Sequence, residues 1–220
     1  MLVASVRVIS YTTPVNETMD LSDLIAYIAR VSNPSNQMNT ATSDKLLKYL
    51  AKHKHWSPFE MVNVVMEIET TRDIARQILR HRSFAFQEFS QRYADPTSDL
   101  GFETRESRLQ DHKNRQNSIE TEDAKLLEEW KNRQAKVINE ARGAYKWAIE
   151  KGIAKEQARA VLPEGNTVSR MYMNGTLRSW IHYCLLRMGP ETQKEHREIA
   201  LACWREIIKI YPSLENVVES

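Results

Sequence analysis

Five arginines fall between positions 72 and 92, with hardly an acid among them. Arg72, Arg76 and Arg80 recur at i, i+4 and i+8, which makes one stripe along a helix. A stripe of that kind repels itself, so an anion is expected to offset it. Guanidinium suits the task, because it stays charged when buried and offers a planar fork to phosphate or to a carbonyl edge. A solvated basic face is the plainer alternative, but the large apolar residues interleaved with these arginines point to partial burial. Arg80, His81 and Arg82 then follow one another directly, and Glu88, Ser90 and Arg92 come soon after. Like charge on both sides of His81 should disfavour its protonated form and hold the ring neutral. Glu60 is a second candidate, since it heads a row of Val62, Val64, Met66 and Ile68 at strand spacing. It is read either as a carboxylate with a specific role or as the solvated end of a strand. His53 and His55 lack a third ligand at metal-binding spacing, and no metal is expected.

Positioning these groups takes a helix that runs straight into a strand. Thr70 with Asp73 has the form of a capping box, so the helix is expected to start at Thr70 and to bury Ile74, Ile78 and Leu79. From Phe84 to Tyr93, Phe84, Phe86 and Glu88 alternate against Ala85, Gln87 and Phe89, the period of a strand. Further strands are expected over Val3–Ile9, Phe59–Glu69 and Thr167–Met173. Helices are expected over 21–32, closed by Asn33-Pro34, and over 43–52, 120–150, 176–188 and 191–210, with a short one around Glu156–Val161. On the long helix the core candidates are Leu126, Leu127, Trp130, Val137, Ile138, Ala141, Tyr145 and Trp147. Residues 94–107 read as a mobile loop and 108–118 as a basic surface connection. The expected fold is α+β: a small, mostly antiparallel twisted sheet flanked by helices, with residues 1–220 forming one domain.

At 220 residues the chain is long enough for a sizeable core, and a formal net charge of +2 selects no partner by itself. Cys184 and Cys203 have neither disulfide nor metal spacing and sit among apolar helical residues, so both are read as reduced core thiols. No apolar run reaches the roughly 20 residues that span a bilayer, and the first residues lack the pattern of a signal peptide. A cytoplasmic protein without membrane contact is expected, in the host cytosol if the source is viral. A nucleic-acid-binding module is the competing class, supported by the arginine stripe and by Phe84, Phe86 and Phe89 as stacking groups. Glu60 and Glu88 beside the basic site speak against it, and no nucleic-acid partner is expected.

The triplet Arg80-His81-Arg82, seven residues and then Ser90, flanked by Glu88, Arg92 and Tyr93, resembles the signature of the flavin-dependent thymidylate synthases. His55-Trp56-Ser57-Pro58-Phe59-Glu60 is similar to that family's H-x-S/T-P-F-E element, and Ala29-Arg30-Val31-Ser32 to its ARVS segment. Ala158-Arg159 with Leu162-Pro163 is similar to A-R-x-x-L-P, and Arg178 and Arg187 keep the family's nine-residue separation. Ala85 and His182 stand where family members often carry serine and asparagine.

The resemblance implies reductive methylation of dUMP to dTMP in de novo dTMP biosynthesis. Methylenetetrahydrofolate would be the carbon donor, FAD the redox cofactor and NADPH the reductant, with no cysteine nucleophile. It implies dUMP binding by Gln77, Arg80, Glu88, Ser90, Arg92, Arg159 and Arg187. It implies FAD binding by Ser32, Ser57, Glu60, Arg80, His81, Arg82, Arg178 and His182. Arg187, Ser90 and His55 are the catalytic assignments, with Ser90 preferred as a binding group over a nucleophile. The chain lacks a G-x-G-x-x-G turn, so FAD would lie between elements rather than on a Rossmann unit. The family's homotetramer, with sites assembled between subunits, is the implied assembly.

Overall fold

The chain folds outward from its two longest strands, whose alternating apolar residues bury one face of a sheet. The computed structural model describes residues 5–217. In chain order the first elements are β1 (Ser5–Tyr11), α1 (Leu21–Ala29), α2 (Ser43–Lys52), β2 (Asn63–Thr71), α3 (Arg72–Ile78) and β3 (Ala85–Glu88). A one-turn helix α4 (Pro96–Asp99), a hairpin of β4 (Arg108–Gln110) and β5 (Ser118–Glu120), and the long α5 (Ala124–Glu150) come next. The chain then continues as α6 (Lys155–Ala158), β6 (Val168–Thr176), α7 (Leu177–Arg187) and α8 (Lys194–Ile210). The main sheet is antiparallel throughout, in the order β1-β2-β6-β3.

Register explains how the site residues meet. Asn63 faces Thr176 and Thr71 faces Val168, so β2 and β6 run directly into α3 and α7 at opposite ends of the sheet. Residues just before β2 therefore lie beside the start of α7. The Trp180 indole N–H donates to the Val64 carbonyl at 3.0 Å, which pins α7 to β2. Val62, Val64, Met66 and Ile68 are all fully buried, as the row at strand spacing requires. Ile25, Leu47, Phe59, Ile74, Ile181 and Ile199 complete the same core from the surrounding helices.

Several boundaries differ from expectation for local reasons. Pro58 starts a 3-10 turn over Ser57–Met61, so β2 begins at Asn63 and not at Phe59. Thr70 pairs with Ser169 in the sheet, and no capping box forms at α3. The Thr71 hydroxyl instead donates to the Asp73 carboxylate at 2.6 Å. β3 stops at Glu88, because the Tyr93 N–H closes a turn onto the Ser90 carbonyl. The segment 94–107 is tied down. Asp95 caps α4, Gly101 turns at φ 82°, and the Glu103 N–H donates to the Asn166 carbonyl at 2.8 Å. Residues 108–120 form the hairpin where a plain connection was expected. α1 ends at Ala29, leaving Ser32 in the following turn, while β5 takes Glu120 and α5 starts at Ala124, capped by Asp123.

On α5 a single stripe can face inward, and Ile138, Ala141 and Tyr145 occupy it. Trp130, Val137 and Trp147 instead lie outside, 44%, 52% and 57% exposed, against their reading as core.

Gly175 marks a close approach. A methyl group built on it would overlap the Phe84 ring, which packs edge-on against Trp180 at 4.9 Å, two residues after the Arg80-His81-Arg82 triplet. Gly175→Ala should therefore displace Phe84 and destabilise the fold by about 1–3 kcal/mol, the usual cost of overpacking. Chemical denaturation checks this, and an unchanged midpoint would mean that the ring moves aside freely.

Candidate functional site

The candidate residues gather into three groups. The first forms around the 3-10 turn and the start of α7. Glu60 accepts a hydrogen bond from the Thr176 hydroxyl at 2.7 Å, and the Arg178 Nε lies 3.5 Å from its other carboxylate oxygen. Glu60 thus has a specific partner and is not a solvated strand end. The Arg178 Nε is buried yet makes no hydrogen bond, since its approach to Glu60 lacks the right geometry. A buried guanidinium N–H without an acceptor is costly, and it marks a place where an acceptor would be held. His182, one turn along α7 from Arg178, stacks edge-on against Trp56 at 4.7 Å. Burial, then the charge of Arg178, lowers the His182 pKa, with Glu60 opposing. Ser32, His55 and Ser57 are exposed. His53 and His55 pack around Tyr49, with ring centroids 6.3 Å from each other.

The second group forms where α3 ends against the end of α7. The Arg187 Nε–H donates to the His81 Nε2 at 3.0 Å, so His81 must be unprotonated there. Burial is the main cause that pulls the His81 pKa down to about 4, followed by the charges of Arg187 and Arg80. The neutral ring was expected, although from its two sequence neighbours; Arg82 contributes nothing to the shift. Below His81 lies the ring of Tyr183 at 4.9 Å, and beyond it His196. Gln77 sits beside them but is already engaged, accepting from His196 and donating to Gln193. Arg80 and Arg82 are exposed and make no ion pair or side-chain hydrogen bond among the described residues.

The third group surrounds the end of β3. Glu88 accepts from the Ser169 hydroxyl at 2.8 Å and lies 3.6 Å from Arg72. Ser90 is exposed, and Arg92 reaches Glu156 at 3.6 Å, which brings it next to the turn that carries Arg159. The arginine stripe is thus only partly in need of an external anion. Arg72 pairs with Glu88 of the following strand and Arg76 with the distant Glu164. Phe84 and Phe86 pack against the core, so neither is the free stacking platform that a nucleic-acid module would need.

Arg178 and Arg187, nine residues apart, point about half a turn from each other on α7; their partners, Glu60 and His81, confirm the two directions. One protomer therefore splits the candidate residues between two faces. A cavity of about 240 Å³ opens elsewhere, between Asp73 and Arg105 on one side and Trp130, Arg133 and Val137 of α5 on the other. None of the candidate residues lines it.

Three buried polar residues escaped the sequence reading. His196 is fully buried, Gln91 is 4% exposed with its amide nitrogen unpartnered, and Gln134 is fixed beneath residues 103–105. A lone histidine inside an amphipathic helix gives no signal of its own; only the fold shows what it meets.

Two predictions arise from these groups. Burial pushes the Cys184 and Cys203 thiols well up, and both are fully buried, so neither supplies a thiolate. Cys184→Ala and Cys203→Ala should retain turnover within about threefold, measured on folded protein, since each loses only a small core group; loss of turnover in either would implicate a thiol. The histidines predict the acid response. His81 titrates near 4 and His196 near 3, while an unfolded chain protonates both at their ordinary value of 6.5. The unfolded state therefore binds more protons below that value, and stability falls as pH drops from about 6.5 towards 4. Glu67, pulled down to about 2 chiefly by its hydrogen bond from Arg7, adds a loss that begins only below the usual carboxylate value of 4.5. A Tm flat between pH 7 and 4.5 would contradict the neutral histidines.

Comparison with known proteins places the chain in a family. The family described as thymidylate synthase complementing protein matches residues 13–213. The chain is 48% identical over 216 residues to the probable flavin-dependent thymidylate synthase of Paramecium bursaria Chlorella virus 1, covering 98% of this chain and 99% of that one. It is also 48% identical over 218 residues to the flavin-dependent thymidylate synthase of Synechocystis, covering 97% and 99%. Among solved structures, the UMP/dUMP methylase PolB from Streptomyces cacaoi, bound with 5-Br dUMP, superposes with a TM-score of 0.80 at 21% identity, over 98% of this chain and 94% of that one. That likeness establishes a shared fold.

Proposed function

The chain belongs to the flavin-dependent thymidylate synthase family, and on that premise we propose that it methylates dUMP to dTMP without a cysteine nucleophile. Methylenetetrahydrofolate is the carbon donor, FAD the redox cofactor and NADPH the reductant. The observation that carries this reading is the Arg187–His81 pair. Arg187 commits only its Nε to the neutral imidazole, which leaves both terminal amino groups uncommitted among the described residues. Those two groups form a fork suited to the uracil N3 and carbonyl edge. There Arg187 stabilises the negative charge that spreads over the ring as C5 becomes nucleophilic.

The nucleotide is held by the third group. Arg92 and Arg159 supply positive charge to the phosphate, and Ser90 donates its exposed hydroxyl. Glu88, oriented by Ser169 and Arg72, accepts from the nucleotide. Arg80 and Gln77 complete the dUMP contacts.

FAD, when bound, supplies the hydride-level redox chemistry. The residues fit such a cofactor: Arg80 and Arg82 have uncommitted guanidinium groups for its pyrophosphate, and the orphaned Arg178 Nε awaits an acceptor. Ser32, Ser57, Glu60, His81 and His182 would hold the same cofactor, and the exposed His55 keeps its catalytic assignment. Their lowered pKa values keep His81 and His182 neutral, so they would meet the cofactor's rings without adding charge.

The active protein is a homotetramer with sites between subunits, and its 220 residues act as one domain in the cytoplasm. Support comes from the opposed directions of Arg178 and Arg187 and from the exposed Trp130, Val137 and Trp147 of α5. Among the described residues no helix is long and apolar enough to cross a membrane.

The test is the visible spectrum of the purified protein under anaerobic conditions. Flavin bands bleached by NADPH, with the rate changed by dUMP, are expected. A colourless protein that FAD cannot reconstitute would overturn the reading and return the uncommitted arginines to a nucleic-acid partner, whose affinity would fall steeply with salt.

A further inference from the structure

A line of polar side chains runs inward from the Arg187–His81 pair, and its bonds share one direction. His196 on α8 is fully buried and uses both ring nitrogens. Its Nδ1 lies 3.2 Å from the Gln77 side-chain oxygen, and its Nε2 lies 3.2 Å from the Tyr183 hydroxyl. The Gln77 amide nitrogen donates to the Gln193 oxygen at 2.8 Å, and the Gln193 nitrogen donates to Glu195 at 3.0 Å.

The far end fixes the polarity of the whole line. Burial pushes the Glu195 carboxyl up, but the hydrogen bond from Arg108 and the charges of Arg105 and Arg108 outweigh it, leaving the group below its usual value. Glu195 is thus an ionised acceptor, 2.5 Å from Arg108 and 3.5 Å from Arg105. An ionised carboxylate only accepts, so Gln193 must turn its N–H towards Glu195 and its oxygen towards Gln77. Gln77 must then donate to Gln193 and turn its own oxygen towards His196. An amide oxygen only accepts, so the His196 proton sits on Nδ1, and Nε2 accepts from the Tyr183 hydroxyl. Each of these orientations follows from the one before it.

We infer that His196 is a positioning residue for dUMP recognition. It occupies the Gln77 oxygen and so holds the amide in the orientation that Gln193 sets, and through Tyr183 it braces the ring against which His81 packs. The inference rests on the proposed function for the identity of the ligand, while the line of hydrogen bonds stands independently of it. His196 touches no reacting atom. Tyr183 is the joint, because its hydroxyl orders His196 while its ring packs edge-on against His81 at 4.9 Å. Were the His196 donor lost, the Gln77 oxygen would have no partner, and turning the amide over would only set that oxygen against the Gln193 oxygen, so the amide would be held at one end alone.

The experiment compares two substitutions whose order differs between packing and positioning. His196→Leu keeps a similar volume and loses both polar atoms. His196→Asn is smaller but keeps an N–H near Nδ1, aimed at the Gln77 oxygen. The readout is dUMP affinity, taken from the perturbation of the bound flavin spectrum, alongside FAD content and Tm. Positioning predicts about a tenfold weaker dUMP affinity for the leucine variant, the loss of one well-formed hydrogen bond. It predicts an affinity within about threefold of wild type for the asparagine variant, because the donor is kept. FAD content should be the same in both, and the asparagine variant should have the lower Tm.

Affinity that follows Tm, with leucine binding better than asparagine, overturns the inference. If the leucine variant does not fold, Tyr183→Phe takes its place, since it removes only the hydroxyl that holds His196 Nε2 and so loosens the imidazole. A severalfold loss of dUMP affinity is expected there, and an unchanged affinity overturns the inference. Wild-type protein that holds flavin but binds no dUMP overturns the proposed function and this inference together. Wild-type protein that binds dUMP, matched by His196→Leu, overturns this inference alone.

Discussion

Arg187→Ala is expected to lower turnover by about 10²–10³-fold, the usual cost of removing a preorganised charge from the place where negative charge develops. The prediction is specific because the side chain is held at one atom only. Its Nε bonds His81 at 3.0 Å, so the orientation of the fork is set before any ligand arrives. The same substitution leaves the half-buried His81 Nε2 without a donor, and a small part of the loss will appear as reduced stability. Arg187→Lys should not restore activity, since one ammonium cannot bond His81 and also present a planar pair of donors. dUMP affinity should fall less than turnover. Steady-state kinetics with folded, flavin-loaded variants separates the two effects. A kcat that survives while KM alone rises would make Arg187 a binding group.

The second large effect concerns the cofactor. Arg178→Met should weaken FAD binding by about 10–100-fold, the range for a hydrogen bond to a charged group. The Arg178 Nε is buried and makes no hydrogen bond, and Glu60, its ion-pair partner at 3.5 Å, already accepts from Thr176 at 2.7 Å. Removing the guanidinium therefore takes away little that holds the protein together, and the Tm of the flavin-free form should change by no more than a degree or two. Equilibrium dialysis with FAD gives the first number and differential scanning calorimetry the second. Undiminished FAD affinity would show that the orphaned nitrogen serves some other acceptor.

How much of this was legible in the sequence depended on distance along the chain. Local periodicity was enough for β2, α7 and α8, and for the alternation of Phe86 and Glu88 against Ala85 and Gln87. It was also enough for the neutrality of His81, although the cause lies mainly in burial, which sequence neighbours do not report. Pairing between distant residues was not legible. Arg72 and Arg76 looked unbalanced because Glu88, sixteen residues on, and Glu164 reach them only through the fold, while Arg80 stays without an ion pair among the described residues. The row of apolar residues running back to Glu60 resembled one strand, because the 3-10 turn that Pro58 opens carries its apolar residues straight on towards β2. Trp130, Val137 and Trp147 resembled core, because hydrophobicity says which faces of a helix avoid water and not which of them the same chain covers. The line from Glu195 to His196 left no trace in the pattern, since its members come from α3, α7 and the start of α8 and meet only in three dimensions.

The central claim is that this chain makes dTMP by a flavin-dependent route in which no thiolate takes part. The most direct test is product analysis of the Cys184→Ala/Cys203→Ala double variant, incubated anaerobically with dUMP, methylenetetrahydrofolate, NADPH and FAD. The account predicts dTMP formation that needs FAD and proceeds within about tenfold of the wild-type rate, allowing for two small core cavities. A folded, flavin-loaded double variant that forms no dTMP while the wild type does would contradict it.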